Sequence, residues 1–158
     1  MKSSVYVESS VISYLTARPS RDVVKSARQA LTTEWWQSSQ AEFDVFISVL
    51  VRKEVAAGDP VAAAQQLAIV KDIVVLGTSF EAEHIADALI MEKALPENSK
   101  EDALHIGIAA SHGMDYVLTW NFKHIINARK KSHVIQIVQN LGFSCPVLCS
   151  PEELGVEL

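Results

Sequence analysis

Cysteine is scarce: Cys145 and Cys149 are the only two in 158 residues. Four positions apart in an extended run, they share a face at about 13 Å, beyond the ~7 Å between Cα atoms that a disulfide tolerates. No Cys-x-x-Cys and no zinc-type cysteine–histidine spacing occurs, so both thiols read as buried apolar filler. No apolar run reaches the ~18 residues of a membrane-spanning helix. The start, Met1-Lys2-Ser3-Ser4, enters a strand-like run without a secretory core, and a cytoplasmic location is the expectation. Gly-x-Gly-x-x-Gly, a P-loop and Gly-x-Ser-x-Gly are all missing, so dinucleotide, nucleotide and serine-hydrolase sites lack their cradle or elbow. Positive charge is in deficit too. A net charge of −5 argues against whole-surface binding to nucleic acid and leaves room for a local basic groove.

What is present suits a single domain over residues 1–158, since 49% of the chain is hydrophobic. A chain of this length buries roughly 70% of its unfolded surface, so it needs no disulfide or structural metal. Strand candidates are Val5–Val7, Val45–Ile47, Ile73–Leu76, Tyr116–Leu118 and Pro146–Leu148. They barely alternate in polarity, as strands covered on both faces do. Between them, helical spacing covers 21–36, 49–57, 60–70, 80–95 and 100–112, with a further helix start at Ser9-Ser10. Gly113 and Gly142 read as helix C-terminal glycines, and Ser150-Pro151-Glu152-Glu153 as a capping-box start. The βα alternation predicts an α/β fold, a doubly wound, mostly parallel sheet flanked by helices. In such sheets ligands bind beyond the carboxyl ends of the strands. Glu8 and Asn121 belong at that edge.

Three carboxylates stand out, each beside an ordinary explanation. Glu8 leaves a buried strand at a helix start, where an acid complements the macrodipole or serves as ligand or catalyst. Asp102 stands three residues after Ser99, and that capping-box spacing accounts for both without a metal. His105, one turn later, can meet Asp102 and reads as a satisfied core or supporting histidine. Glu54 follows Val51-Arg52-Lys53 on a charged helix, where a solvated side chain is the default. Lys123, His124, Arg129, Lys130 and Lys131 concentrate positive charge after the fourth strand. They read either as cations at a helix C-terminus or as a phosphate-backbone groove, with Lys100 and Arg18 as further candidates. Brought together, the acids would form a cage of hard oxygen ligands suited to Mg²⁺ or Mn²⁺.

In order and spacing these residues resemble a PIN domain of the VapC-type ribonuclease toxins. The resemblance rests on Val5-Tyr6-Val7-Glu8-Ser9-Ser10-Val11-Ile12, on Ser48-Val49-Leu50-Val51-Arg52-Lys53-Glu54, and most specifically on Asp102-Ala103-Leu104-His105-Ile106-Gly107-Ile108-Ala109-Ala110 followed by Gly113 to His124. The closing stretch from Cys145 to Leu154 fits a subgroup. The resemblance implies metal-dependent RNA cleavage, a homodimer and neutralisation by an antitoxin. Glu8, Glu54 and Asp102 fall on its acidic ligand positions. Ser9 or Ser10 falls where a hydroxyl supports the first acid or the scissile phosphate, and Asn121 where many members place another acid. Glu8 stands for the commoner Asp, and Asn121 offers only a carbonyl oxygen. One firmly bound Mg²⁺ or Mn²⁺ is therefore expected, with a second joining when phosphate supplies oxygens. Lys123, Lys100 and Arg18 would hold the RNA backbone. The alternatives are a PIN-like module that binds RNA or protein without cutting, a receiver-type signalling domain, and a pure interaction protein built around Trp35 and Trp36. The receiver would want an acidic pair at the first strand and an aspartate after the third, where Leu76-Gly77-Thr78 stands.

Overall fold

Val5, Tyr6 and Val7 are fully shielded from solvent, as befits the middle strand of a sheet covered on both faces. The computed structural model describes residues 1–155. Its strands are β1 (Ser3–Val7), β2 (Phe43–Ser48), β3 (Val74–Leu76), β4 (Tyr116–Leu118) and β5 (Val147–Cys149). They form one sheet in the order β3-β2-β1-β4-β5, and every neighbouring pair is parallel. The helices are α1 (Ser9–Thr16), α2 (Val23–Glu42), α3 (Val49–Ala56), α4 (Pro60–Val70), α5 (Phe80–Met91), α6 (Lys100–Ser111) and α7 (Lys131–Asn140), with a 3₁₀ turn at Glu97–Ser99. The chain winds outward from β1 to β2 and β3, then returns across the sheet to β4 and β5. Strand order thus reverses between β1 and β4, and a doubly wound sheet opens a crevice at the carboxyl ends flanking such a reversal.

The expected elements occur with shifted ends, for local reasons. α2 runs on to Glu42 rather than stopping at Trp36, because polar helix formers such as Gln37 continue it after the apolar pattern lapses. α5 stops at Met91. Lys93 there takes φ 62, and Ala94 and Leu95 turn back to bond the Leu89 carbonyl at 2.9 and 3.3 Å, so the apolar pattern outlives the helix. β5 begins after Pro146, which has no N–H for a ladder. Gly113 and Gly142 close α6 and α7 at φ 70 and 90, as left-handed terminal glycines do. Ser150 and Glu153 make the reciprocal bonds of a capping box, yet the segment that follows is only a turn. The basic residues from Lys123 to Lys131 lie in the turns after β4 and at the start of α7, not at the C-terminal end of a helix, so they are not C-terminal helix cations.

Trp35 is 3% exposed and stacks on Phe43, while Trp36 is half-buried against the same core. Cys145 and Cys149 are both free. Burial pushes their thiols up, to about 11 and about 12, as expected of apolar filler. α5 and α6 pack closely because Gly107 brings no side chain: a Cβ there would lie 2.3 Å from the Ala82 carbonyl oxygen. Gly107→Ala is expected to destabilise the protein by about 1–3 kcal/mol through overpacking, read from the urea midpoint at constant m-value. A midpoint unchanged from wild type would show that the two helices can part freely.

Candidate metal centre at the strand reversal

Glu8 ends β1 as the N-cap of α1, its amide bonded to the Leu118 carbonyl of β4 at 3.0 Å. That bond fixes the acid at the reversal point. The carboxylate is only 6% exposed and its oxygens are met by several donors. Ser10 N and Oγ reach it at 3.1 and 2.6 Å, and Thr119 Oγ1 donates from the end of β4. Ser10 Oγ also accepts from Trp120 N at 2.9 Å, and Thr119 Oγ1 from Asn121 N at 2.9 Å. Each hydroxyl is thereby oriented with its proton toward Glu8.

Glu54 comes from α3, which starts directly off β2 with Ser48 as its N-cap. It is therefore not the solvated residue its charged neighbours suggest. Its Oε1 accepts from Ser9 Oγ and from His105 Nε2, each at 2.6 Å. Burial alone would raise the Glu54 pKa, but the His105 bond and charge and the Ser9 bond outweigh it and hold the group below the ordinary carboxylate value. His105 is fully buried. Burial alone would lower its pKa, yet the bond to Glu54 and the charges of Glu8, Glu54 and Asp102 raise it above the ordinary imidazole value. Its Nδ1 meets Tyr6 OH at 2.6 Å, and Tyr6 OH meets Ser48 Oγ at 2.8 Å. Burial keeps the phenol protonated, far above its ordinary range. The Tyr6–Ser48 pair can run in either direction, so both protonation states of His105 find partners.

Ligand atoms of Glu8, Glu54 and His105 lie within 4.8 Å of one another. Asp102 is outside that group. It sits half-buried in the first turn of α6 and makes no hydrogen bond or ion pair among the described residues, its charge acting on His105. Ser99 makes no side-chain capping bond, so the capping account of Asp102 does not hold. Glu101 lies against Glu54, an acid the sequence gave no reason to choose. Asn121 turns its Oδ1 back to the amide of His124 at 3.0 Å, and its carbonyl oxygen serves the turn. Lys100 pairs with Asp87 and Glu83 on α5 at 3.4 and 3.8 Å. Arg18 lines a separate surface pocket with Tyr14 and Lys25, and Lys123 lines a groove with Lys130. Thr119 and Tyr6 belong to the site without any motif to mark them. Their only signal in the sequence is a hydroxyl at the exit of an apolar strand and a phenol in the middle of one.

The donor set fits a hard divalent cation. Carboxylate oxygens dominate it, and both ring nitrogens of His105 are already bonded, which leaves the histidine to position Glu54. A pocket of about 250 Å³, lined by Ser9, Glu54 and Asp59 among others, gives access to Glu54 from solvent.

Solved structures share this architecture. The VapC20 toxin of Mycobacterium tuberculosis, described as cleaving the sarcin–ricin loop, matches with a TM-score of 0.55 at 20% identity, over 72% of this chain and 87% of that one. VapBC2 from Rickettsia felis, bound to a DNA fragment from their promoter, matches with a TM-score of 0.54 at 13% identity, over 92% and 97%. The sheet and its flanking helices are thus the PIN-like fold of VapC proteins. No protein-family model matches the chain, and no curated protein matches it.

The buried relay behind the acids is testable on its own. Tyr6→Phe strips the partner from His105 Nδ1 and Ser48 Oγ in a dry setting, and is expected to lower stability by about 1–3 kcal/mol. Equilibrium unfolding in urea reads this directly. A loss near zero would mean that water reaches both atoms.

Proposed function

We propose that this chain is a divalent-metal-dependent endoribonuclease, the toxin of a toxin–antitoxin pair, acting as a cytoplasmic homodimer. One observation carries the reading. Glu8 and Glu54, 46 positions apart in sequence, converge at the strand reversal with Glu101 and Asp102 close by and His105 bonded to Glu54. Carboxylates gathered this way repel one another, and a bound cation relieves the repulsion. The likeness in fold to the two VapC structures supports the same reading.

Glu8, Asp102 and Glu54 would hold Mg²⁺ or Mn²⁺. When bound, such an ion polarises a phosphoryl oxygen and makes water a stronger nucleophile. Ser10 and Thr119 aim the Glu8 carboxylate, and Ser9 and His105 aim that of Glu54. Glu54, with one oxygen committed to these donors, is suited to orient the attacking water with the other. Asn121 shapes the turn beneath Thr119, and Lys123 holds the RNA backbone. Lys100, neutralised by α5, contributes little to that grip, and Arg18 would act from a separate pocket.

Cleavage of labelled RNA should appear with Mg²⁺ or Mn²⁺ and vanish with chelator. Glu8→Gln and Asp102→Asn are expected to slow it by at least ~100-fold, the scale for losing one group that stabilises the transition state, with circular dichroism unchanged. Full activity in either variant would contradict the assignment. The use of the Asn121 oxygen in its turn favours a second reading, an RNA-binding module that does not cut. Calorimetric titration separates the two, since that module would take up no Mg²⁺ or Mn²⁺.

A further inference from the structure

Acids outnumber basic residues in this chain, 19 to 14. Even so, Lys93, Lys123 and Lys130 share one groove of about 640 Å³ with His124, facing a single acid, Glu97. Ile90, Met91 and Leu95 contribute apolar lining. None of the three lysines has an ion-pair partner among the described residues, in contrast to Lys100. Lys130 Nζ reaches only the carbonyl of Lys93, at 3.4 Å.

Local structure does not account for these cations. Lys130 and Lys131 stand at the N-terminal end of α7, where the macrodipole disfavours positive charge. Lys93 occupies the left-handed position after α5, at φ 62, with Lys93 N bonded to the Ile90 carbonyl at 3.1 Å and Ala94 N to the Leu89 carbonyl at 2.9 Å. Glycine or asparagine is the usual residue at such a helix end. A lysine is held there against backbone preference, and strained residues gather where function retains them. The walls of the groove also lead to the acids. Lys123 follows Asn121, whose amide bonds Thr119 beside Glu8, and Glu97 opens the 3₁₀ turn that leads into α6 with Asp102 and His105.

We infer that this groove is the track along which a single strand of RNA passes the acidic cluster, with Lys93 and Lys130 joining Lys123 as phosphate contacts. The inference rests on the nuclease reading for its substrate. Lysines spaced along the groove meet successive backbone phosphates of a single strand.

The test is fluorescence anisotropy with a labelled single-stranded RNA of mixed sequence, metal chelated so that binding is read without cleavage, across a salt series. Lys93→Gly and Lys130→Gln should each weaken binding several-fold and reduce the salt slope by about 0.7, one phosphate contact on a single strand. Lys71→Gln, at the C-terminal cap of α4, should do neither. Lys93→Gly should also raise Tm by relieving the backbone, while Lys130→Gln leaves the backbone untouched and remains interpretable if the first variant misfolds. Unchanged affinity and slope in both groove variants, or an equal loss in Lys71→Gln, overturns the inference; the first result would leave the groove to a protein segment. The two readings fail separately. Loss of cleavage in Glu8→Gln with normal RNA binding in the groove variants keeps the nuclease and sinks the track. Reduced slopes in a wild type that cleaves no RNA with either metal keep the track and sink the nuclease.

Discussion

Carboxylates brought together at a protein surface repel one another, and burying them raises the free energy of their charged forms. In this protein Glu8 and Glu54 are nonetheless held in a common site, because directed donors meet each of them. Ser10 and Thr119 donate to the first, Ser9 and His105 to the second. Charge-assisted bonds of this kind are the stronger sort. The remaining architecture delivers these donors. β1 and β4 must be neighbours for Thr119 to reach Glu8, and α6 must lie over β1 for His105 to reach both Tyr6 and Glu54.

The histidine links the core to the site. On one side it is bonded through Tyr6 to Ser48, which also caps α3 by accepting from Val51 N at 3.2 Å. On the other it is bonded to Glu54, carried by that same helix. A displacement of α3 relative to the sheet would therefore strain two points of one hydrogen-bonded chain. Such connected polar networks are rigid when every member is satisfied. Gly107 serves the same end from the opposite face of α6, letting α5 approach so closely that the helix carrying Asp102 and His105 has little freedom to shift. The site is thus held by packing on one side and by directed bonds on the other. Lys93, Lys123 and Lys130 gather in the groove between the end of α5 and the turn before α7.

Much of this was open to a reader of the sequence. Five short β-branched runs separated by amphipathic stretches give a buried parallel sheet, because a strand covered on both faces cannot alternate. Glu8 was legible from its position at the exit of such a run, and the helix-terminal roles of Gly113 and Gly142 from the conformational freedom of glycine. Other features were not. Glu54 sits among charged neighbours that give it a solvated look, and only the placement of α3 against α1 and α6 turns it inward. The Ser99–Asp102 spacing suggests a cap that does not form, because spacing fixes which groups can meet and not which way a side chain turns. Thr119 and Tyr6 carry no motif at all.

The sequence by itself determined the local elements, the identity of the central strands and the scarcity of cross-links, since these follow from propensity, periodicity and composition within a few turns of chain. It also supplied the acids and hydroxyls. Which acid meets which donor was decided only by the tertiary structure. The reversal of strand order between β1 and β4 places residues more than a hundred positions apart in direct contact, as with Thr119 and Glu8. The pairing of His105 with Glu54 likewise spans 51 positions. Contacts across such separations leave no trace in local pattern, because they depend on how the whole sheet is wound.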